Sequence, residues 1–183
     1  MGVDRAVTPA VFLDRDGVIN AAVVRDGRPY PPASAADLAI LPGVVAALGD
    51  LRAAGFQLVV VTNQPDVRRG TQSREAVEAI HDKLRAELPL DAIYCCFHDD
   101  EDHCACRKPA PGLLLDAARD RALDLPASFM VGDRWRDTDA GAAAGCRTVF
   151  VDHGYSERRP ASFDHRVTSL PEAAAWILRG AQS

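Results

Sequence analysis

The sequence predicts an α/β protein: a doubly wound parallel sheet with no cap domain. Three observations predict it. Short β-type runs alternate with segments whose apolar side chains recur at helical spacing, the pattern of strands joined by crossover helices. The strand runs are continuously apolar, as strands covered on both faces must be. A chain of 183 residues, 48% apolar and 26% charged, has the ordinary make-up of one globular domain with a substantial core. Residues 1–183 are therefore read as a single domain.

Ala10-Val11-Phe12-Leu13 reads as a buried strand ending at Asp14. Residues 43–54, between Pro42 and Gly55, place Val44, Ala47, Leu48 and Leu51 on one helical face. Phe56 to Val61 is the second strand. Ser73 to Leu88 reads as a helix, with Ser73 as its cap and Glu75 in the first turn. Asp91 to Phe97 is a weaker third strand, and Pro111 to Ala122 is a helix with proline in its first turn. Ser128 to Val131, Asp137 to Ala144 and Arg147 to Val151 complete a strand, a helix and a strand. An amphipathic helix over Pro171 to Arg179 comes last. Val24 to Ala36 is read as a turn-rich loop over the site edge, and Asp152 to Arg166 as a polar loop.

A net charge of −5, with no basic block longer than Arg68-Arg69, gives no reason to expect a nucleic-acid or membrane-surface partner. No apolar run is long enough to span a bilayer, and Met1 to Pro9 lacks an apolar signal core. These features predict a cytoplasmic protein, and we expect a monomer. Four of the five cysteines fall within twelve residues (Cys95, Cys96, Cys104, Cys106), with Cys146 apart. That pattern fits metal binding better than a disulfide framework.

Ligands of such sheets bind beyond the carboxyl ends of the strands. Asp14, Thr62, the cysteine cluster and Asp133 all follow predicted strands, so they converge on one edge. Asp14 and Asp16, two residues apart, can divide the labour of attack on phosphorus and of acid/base transfer. Asp133 and Asp137 form a second acidic group after Gly132. A divalent cation would let Asp14 and Asp133 approach each other, and oxygen-only ligands favour Mg2+. Thr62 and Lys108 could stabilise charge on phosphoryl oxygens. Read singly, Asp137 is as readily a helix cap, Thr62 a turn residue and Lys108 a surface charge.

Cys96-Phe97-His98 and Cys104-Ala105-Cys106 are separated by five residues. Three thiolates and one imidazole complete a tetrahedral Zn2+ site with no open position, which marks a structural metal. His103 could compete with His98, although Cys96 with His98 keeps the symmetric spacing. Cys95 is expected in the core. The loop runs straight into Arg107-Lys108, so holding it rigid would position both cations over a phosphate.

Asp14-Arg15-Asp16-Gly17-Val18, Val61-Thr62-Asn63-Gln64, Arg107-Lys108-Pro109 and Val131-Gly132-Asp133-Arg134-x-x-Asp137 resemble, in order and spacing, the four motifs of haloacid dehalogenase (HAD)-type phosphatases. The likeness covers about residues 10–152. It implies that Asp14 is the nucleophile and Asp16 the proton donor. It places magnesium on Asp14, the backbone carbonyl of Asp16 and Asp133, with Thr62 and Lys108 on the phosphoryl group. The zinc loop leading into C-x-C-R-K-P narrows the resemblance to heptose bisphosphate phosphatases and the similar histidinol-phosphate phosphatases. The first implies substrate contacts by Asn63, Gln64, Arg107 and Arg134, and a small sugar bisphosphate as substrate. The chain departs from the heptose enzymes after the first motif. It has Asn20-Ala21-Ala22-Val23-Val24 and a proline-rich loop around Tyr30, where they usually carry a short acidic, Gly-Tyr-containing segment. Histidinol phosphate is the alternative substrate. A DNA-end phosphatase or a non-enzymatic zinc-stabilised module fits the acidic balance and the Asp14/Asp16 pair less well.

Overall fold

Strand β1 (Ala10–Leu13) is wholly buried and lies between two parallel neighbours, β4 (Gln57–Asn63) and β6 (Phe129–Gly132), in a computed structural model that describes residues 7–180. Of the Met1–Pro9 stretch, residues 1–6 lie outside that range. The sheet extends through β5 (Ala92–Cys96) on one side, and through β7 (Arg147–Val151) and β8 (His165–Val167) on the other. Its order is β5-β4-β1-β6-β7-β8, all parallel. β8 was not expected. It occupies the end of the stretch read as polar loop, and its three residues are too few to show a pattern. The other addition is an antiparallel hairpin of β2 (Val23–Arg25) and β3 (Arg28–Tyr30), inside the segment read as turn-rich loop.

Side chains alternate along each strand, so the sheet divides the core in two. Val11, Leu13, Leu58 and Val60 face α1 (Val44–Ala53), α2 (Arg74–Glu87) and α5 (Leu170–Gly180) through Leu48, Leu51, Ile80, Leu84 and Ile177. Ala10, Phe12, Val59 and Val61 face α3 (Gly112–Arg121) and α4 (Trp135–Ala144) through Leu113, Leu114, Ala117 and Ala140. Helices therefore cover both faces, as the unbroken apolar strands require. Ser73 caps α2, its hydroxyl accepting from the Ala76 amide at 3.1 Å. The helix expected over Asp137 to Ala144 starts earlier, at Trp135. Asp137 is at its third position, and its carboxylate accepts from the Arg134 amide at 3.0 Å.

Pairing runs on past the strand ends. The Asp14 amide donates to Val131 O (2.9 Å) and the Gln64 amide to Cys96 O (2.8 Å). These bonds align the three loops that carry the motifs. Thr62 and Asn63, expected just after the second strand, are its last two residues.

Gly141 sits where α4 crosses the sheet, and a Cβ there would lie 2.5 Å from Met130 Cβ and 3.0 Å from Thr148 Cγ2. Gly→Ala inside a helix ordinarily gains about 0.5–1 kcal/mol. Here overpacking reverses the sign. Gly141→Ala should lower the urea midpoint by an amount equivalent to about 1–3 kcal/mol with an unchanged m-value, and a stabilised variant would refute this account of the α4 contact.

Candidate active site

The floor of the site is an ion triplet. Lys108 Nζ lies 2.6 Å from Asp14 Oδ1, 2.6 Å from Asp137 Oδ1 and 2.8 Å from Val61 O. All three donors of the ammonium are thus used, and the side chain is only 2% exposed. Burial pulls its pKa down, but Asp137 and Asp14 outweigh it and hold the ammonium above its ordinary range. Lys108 is therefore no surface charge. Asn63 clamps its backbone, donating to Lys108 O (3.0 Å) and accepting from Lys108 N (3.1 Å).

Asp133 completes a group of three buried carboxylates with Asp14 and Asp137, whose oxygens lie within 4.8 Å of one another. Both Asp133 oxygens are buried with no partner in good hydrogen-bond geometry, although the Tyr155 hydroxyl stands beside the carboxylate and pulls its pKa down. Burial pushes the Asp14 carboxyl up to about 6, with Lys108 pulling against it and Asp137 adding to it. Burial, then Asp14 and Asp137, hold Asp133 far above the usual carboxylate range. Two orphaned carboxylate oxygens and a surplus of negative charge fit a hard divalent cation. Asp137 serves Lys108 and the start of α4, leaving Asp14 and Asp133 as the carboxylates for such an ion. Gly17 (φ +88°) permits the close approach, since a Cβ there would collide with the Asp133 carboxylate and meet the Tyr155 hydroxyl at 3.0 Å. Tyr155 was not singled out in the sequence, because the loop after β7 carries no motif.

Asp16 is held by four donors. Arg15 Nε (3.1 Å) and Asn20 Nδ2 (2.9 Å) reach Oδ1, and Arg15 Nη2 (3.0 Å) and Gln64 Nε2 (2.9 Å) reach Oδ2. Arg15 is wholly buried, a position that nothing in the first motif announces. Its remaining Nη1 meets His81 Nε2 of α2 at 3.1 Å. Burial, then the Arg15 charge, pulls His81 down to about 4, so its ring is neutral and can accept that bond. Gln64, expected on substrate, spends its amide on Asp16 and on Thr62 Oγ1 (3.0 Å).

These groups open into a cavity of about 630 Å³, within the range of small-ligand sites. Asp14, Asp16, Thr62, Asn63, Gln64, Lys108, Arg134 and Asp137 line it, as do Arg28, Tyr30, Arg69, Trp135, Arg136 and Arg158. Arg107, expected on substrate, is not among its walls. Its Nε donates to Asp100 Oδ1 at 2.8 Å and its Nη1 to His98 O at 3.3 Å, so the acids of the cysteine loop have drawn it away. Those acids also hold Arg69 (Asp99, 2.6 Å) and Arg136 (Asp100, 3.0 Å) against the cavity. Arg134 pairs with Glu157 at 2.6 Å.

Beside this wall, Cys96, His98, Cys104 and Cys106 converge. Sulfur–sulfur separations are 3.1, 3.4 and 3.7 Å, and His98 Nδ1 is 3.5 Å from Cys96 Sγ and 3.4 Å from Cys106 Sγ. Bonds of about 2.3 Å to a tetrahedral zinc imply sulfurs roughly 3.7 Å apart, whereas a disulfide would need about 2.05 Å. The donor set fits zinc: one separation matches that distance, and the other two are shorter yet far longer than a disulfide. His103 is outside the group and adopts a left-handed conformation (φ 45°). Cys95 is partly covered, and burial pushes its thiol up to about 12.

Residues 105–173 match the family model described as "HAD-hyrolase-like". The D-glycero-beta-D-manno-heptose-1,7-bisphosphate 7-phosphatase of Bordetella bronchiseptica is 39% identical over 79% of this chain and 80% of its own. The Yersinia pestis protein of that name is 36% identical over 93% and 89%, and that of Escherichia coli K12 37% identical over 93% and 88%. Among solved structures, D,D-heptose 1,7-bisphosphate phosphatase from B. bronchiseptica, complexed with magnesium and phosphate, superposes with a TM-score of 0.77 at 34% identity, covering 94% of this chain and 99% of the other. Fold, site and these likenesses define a phosphoric monoester hydrolase of the HAD type. Within it, the chain belongs to the D-glycero-β-D-manno-heptose-1,7-bisphosphate 7-phosphatase family. No helix among the described residues is long and apolar enough to cross a membrane.

A carboxyl whose pKa is raised on folding costs stability as pH climbs from its unfolded to its folded value. For Asp14 that window runs from 3.8 to about 6. A cation that needs both carboxylates ionised must displace the Asp14 proton below that window's end, and the Asp133 carboxyl is raised as well. Magnesium should therefore bind at least about tenfold more weakly near pH 5 than near pH 7.5, and should raise Tm less. Equal magnesium-induced Tm shifts at the two pH values would contradict these protonation states.

Proposed function

We propose that this chain removes the 7-phosphate of a D-glycero-D-manno-heptose 1,7-bisphosphate, through a phosphoryl group carried transiently on Asp14. The observation that carries the reading is the Asp14 carboxylate fixed 2.6 Å from a buried ammonium at the floor of a ligand-sized cavity. The names of the relatives, and the magnesium and phosphate in one of them, support the substrate and the metal.

Lys108 favours the ionised, attacking form of Asp14 and neutralises charge on a phosphoryl oxygen. One Asp14 oxygen bonds to phosphorus as the bond to the sugar oxygen breaks, and Asp16 supplies the proton that the departing oxygen takes up. In the second half, water attacks the same phosphorus, Asp16 takes its proton, and the Asp14–phosphorus bond breaks to release phosphate. Thr62 Oγ1 accepts from Gln64, which leaves its own proton to donate to a phosphoryl oxygen. Asn63 acts through Lys108, whose backbone it grips, and Gln64 acts through Asp16 and Thr62. Arg134 contributes a cation to the wall. Asp14, Asp133 and the Asp16 carbonyl would hold magnesium, which when bound supplies charge stabilisation for the transferring group.

Cys96, His98, Cys104 and Cys106 are proposed to hold a structural zinc. The loop they close carries Asp99 and Asp100, so the metal would set where Arg69 and Arg136 stand. The substrate is a small soluble metabolite on this reading, and the chain works without nucleic acid or membrane.

Asp14→Asn keeps the shape and removes the nucleophile. Its turnover of heptose bisphosphate in a panel of phosphoesters that includes histidinol phosphate should fall by about four orders of magnitude or more, and near-wild-type activity would end the covalent mechanism. Metal analysis of the same variant should still find about one zinc per chain, while Cys104→Ser should lose it. Purified protein free of zinc under reducing conditions would overturn the structural-metal assignment.

A further inference from the structure

Six cations line the cavity, and four of them are already engaged with acids. Lys108 is held by Asp14 and Asp137, Arg69 by Asp99, Arg134 by Glu157 and Arg136 by Asp100. The two that remain are Arg28, on the hairpin strand β3, and Arg158, on the loop after β7. Among the described residues neither guanidinium pairs with a carboxylate. Arg158 rests instead on the Trp135 ring, 4.3 Å from its centroid, with Arg136 4.7 Å from the same centroid. A guanidinium stacked on an aromatic ring keeps its edge N–H groups free to donate.

The two segments are joined. The Ser156 amide donates to Gly27 O at 2.9 Å, two residues from Arg158 and one from Arg28. Gly27 has φ +72°, and a Cβ there would lie 2.5 Å from Ser156 Oγ, so only glycine allows the contact. This clasp presents two uncompensated guanidiniums to one cavity whose floor already holds Asp14 and Lys108. Uncompensated cations at a cavity wall call for a multiply charged anion, and their forked donors match phosphate oxygens.

Resting on the reading given under Proposed function, we propose that Arg28 and Arg158 bind the phosphate of the bisphosphate that is not hydrolysed, and so set the preference for bisphosphates over monophosphates. The reacting phosphate sits at Asp14 and Lys108; the second one is held at the clasp.

The test compares kcat/KM for heptose 1,7-bisphosphate and heptose 7-phosphate, and for fructose 1,6-bisphosphate and fructose 6-phosphate, in the wild type, Arg28→Ala, Arg158→Ala and the double variant. Each single change should lower the bisphosphate-to-monophosphate ratio about 10- to 100-fold, chiefly through KM. Arg28→Lys and Arg158→Lys, which keep the charge, should restore part of that ratio, and unchanged Tm values should show that the fold persists. An unchanged ratio, or an equal fall on both members of each pair, overturns the assignment. If the wild type ignores heptose bisphosphate yet prefers the other bisphosphate, the substrate reading fails while the arginines are judged on that second pair. A wild type with no bisphosphate preference overturns both.

Discussion

The arrangement depends on one buried ammonium. Lys108 arrives from the end of the cysteine loop and enters a space already holding Asp14 from β1 and Asp137 from α4. Without it, three carboxylates would share one dry volume with no counter-charge, and removing one partner of such a buried set typically costs about 3–5 kcal/mol. With it, the three carboxylates still carry two negative charges that the single ammonium does not offset, and Asp133 has both oxygens unpaired. The site is therefore a balance left one cation short, which is the condition under which a divalent ion binds and a phosphoryl group can be drawn in. Everything that locates Lys108 then matters, including the Asn63 amide that grips its backbone from β4.

The cysteine loop sets more than Lys108. Its acids each choose an arginine: Asp99 takes Arg69, Asp100 takes Arg107 and Arg136, and Asp102 takes Arg68 at 3.3 Å. Exposed pairs of this kind contribute little stability singly, about 0–1 kcal/mol. Their consequence is geometric. They decide which cations stand in the cavity wall and which are withdrawn from it, and a metal at Cys96, His98, Cys104 and Cys106 would transmit its rigidity along that route.

Asp16 is positioned by a different device. A wholly buried guanidinium is costly unless its nitrogens find partners. Arg15 meets two with the Asp16 carboxylate and a third with a neutral histidine of α2. The helix cap at Ser73 and the apolar face through Ile80 and Leu84 place His81 where it is needed. An acid/base group is thus oriented from the far side of the sheet edge by a helix that carries no motif of its own.

The five longest strands and the helices between them were legible in the chain, because burial on both faces forces unbroken apolar runs such as Leu58-Val59-Val60-Val61. The convergence of the first-motif aspartates, Thr62 and Lys108 on the cavity, with Asp133 beside Asp14, was legible too, since parallel strands deliver their carboxyl ends to one edge. The C-x-H and C-x-C spacing foretold the cysteine cluster as directly. β8 and the β2–β3 hairpin were not legible, because three-residue strands owe their form to hydrogen-bonding neighbours rather than to any periodicity. Nor could the chain say which arginines face the cavity. Arg107 adjoins the key lysine in sequence yet bonds Asp100, whereas Arg28 and Arg158, 130 positions apart, share one wall through Gly27 and Ser156. Residue types and local spacing determine which groups reach the edge. Only the folded chain decides how charges distant in sequence pair there, because a long side chain goes to whichever counter-charge tertiary packing brings within reach.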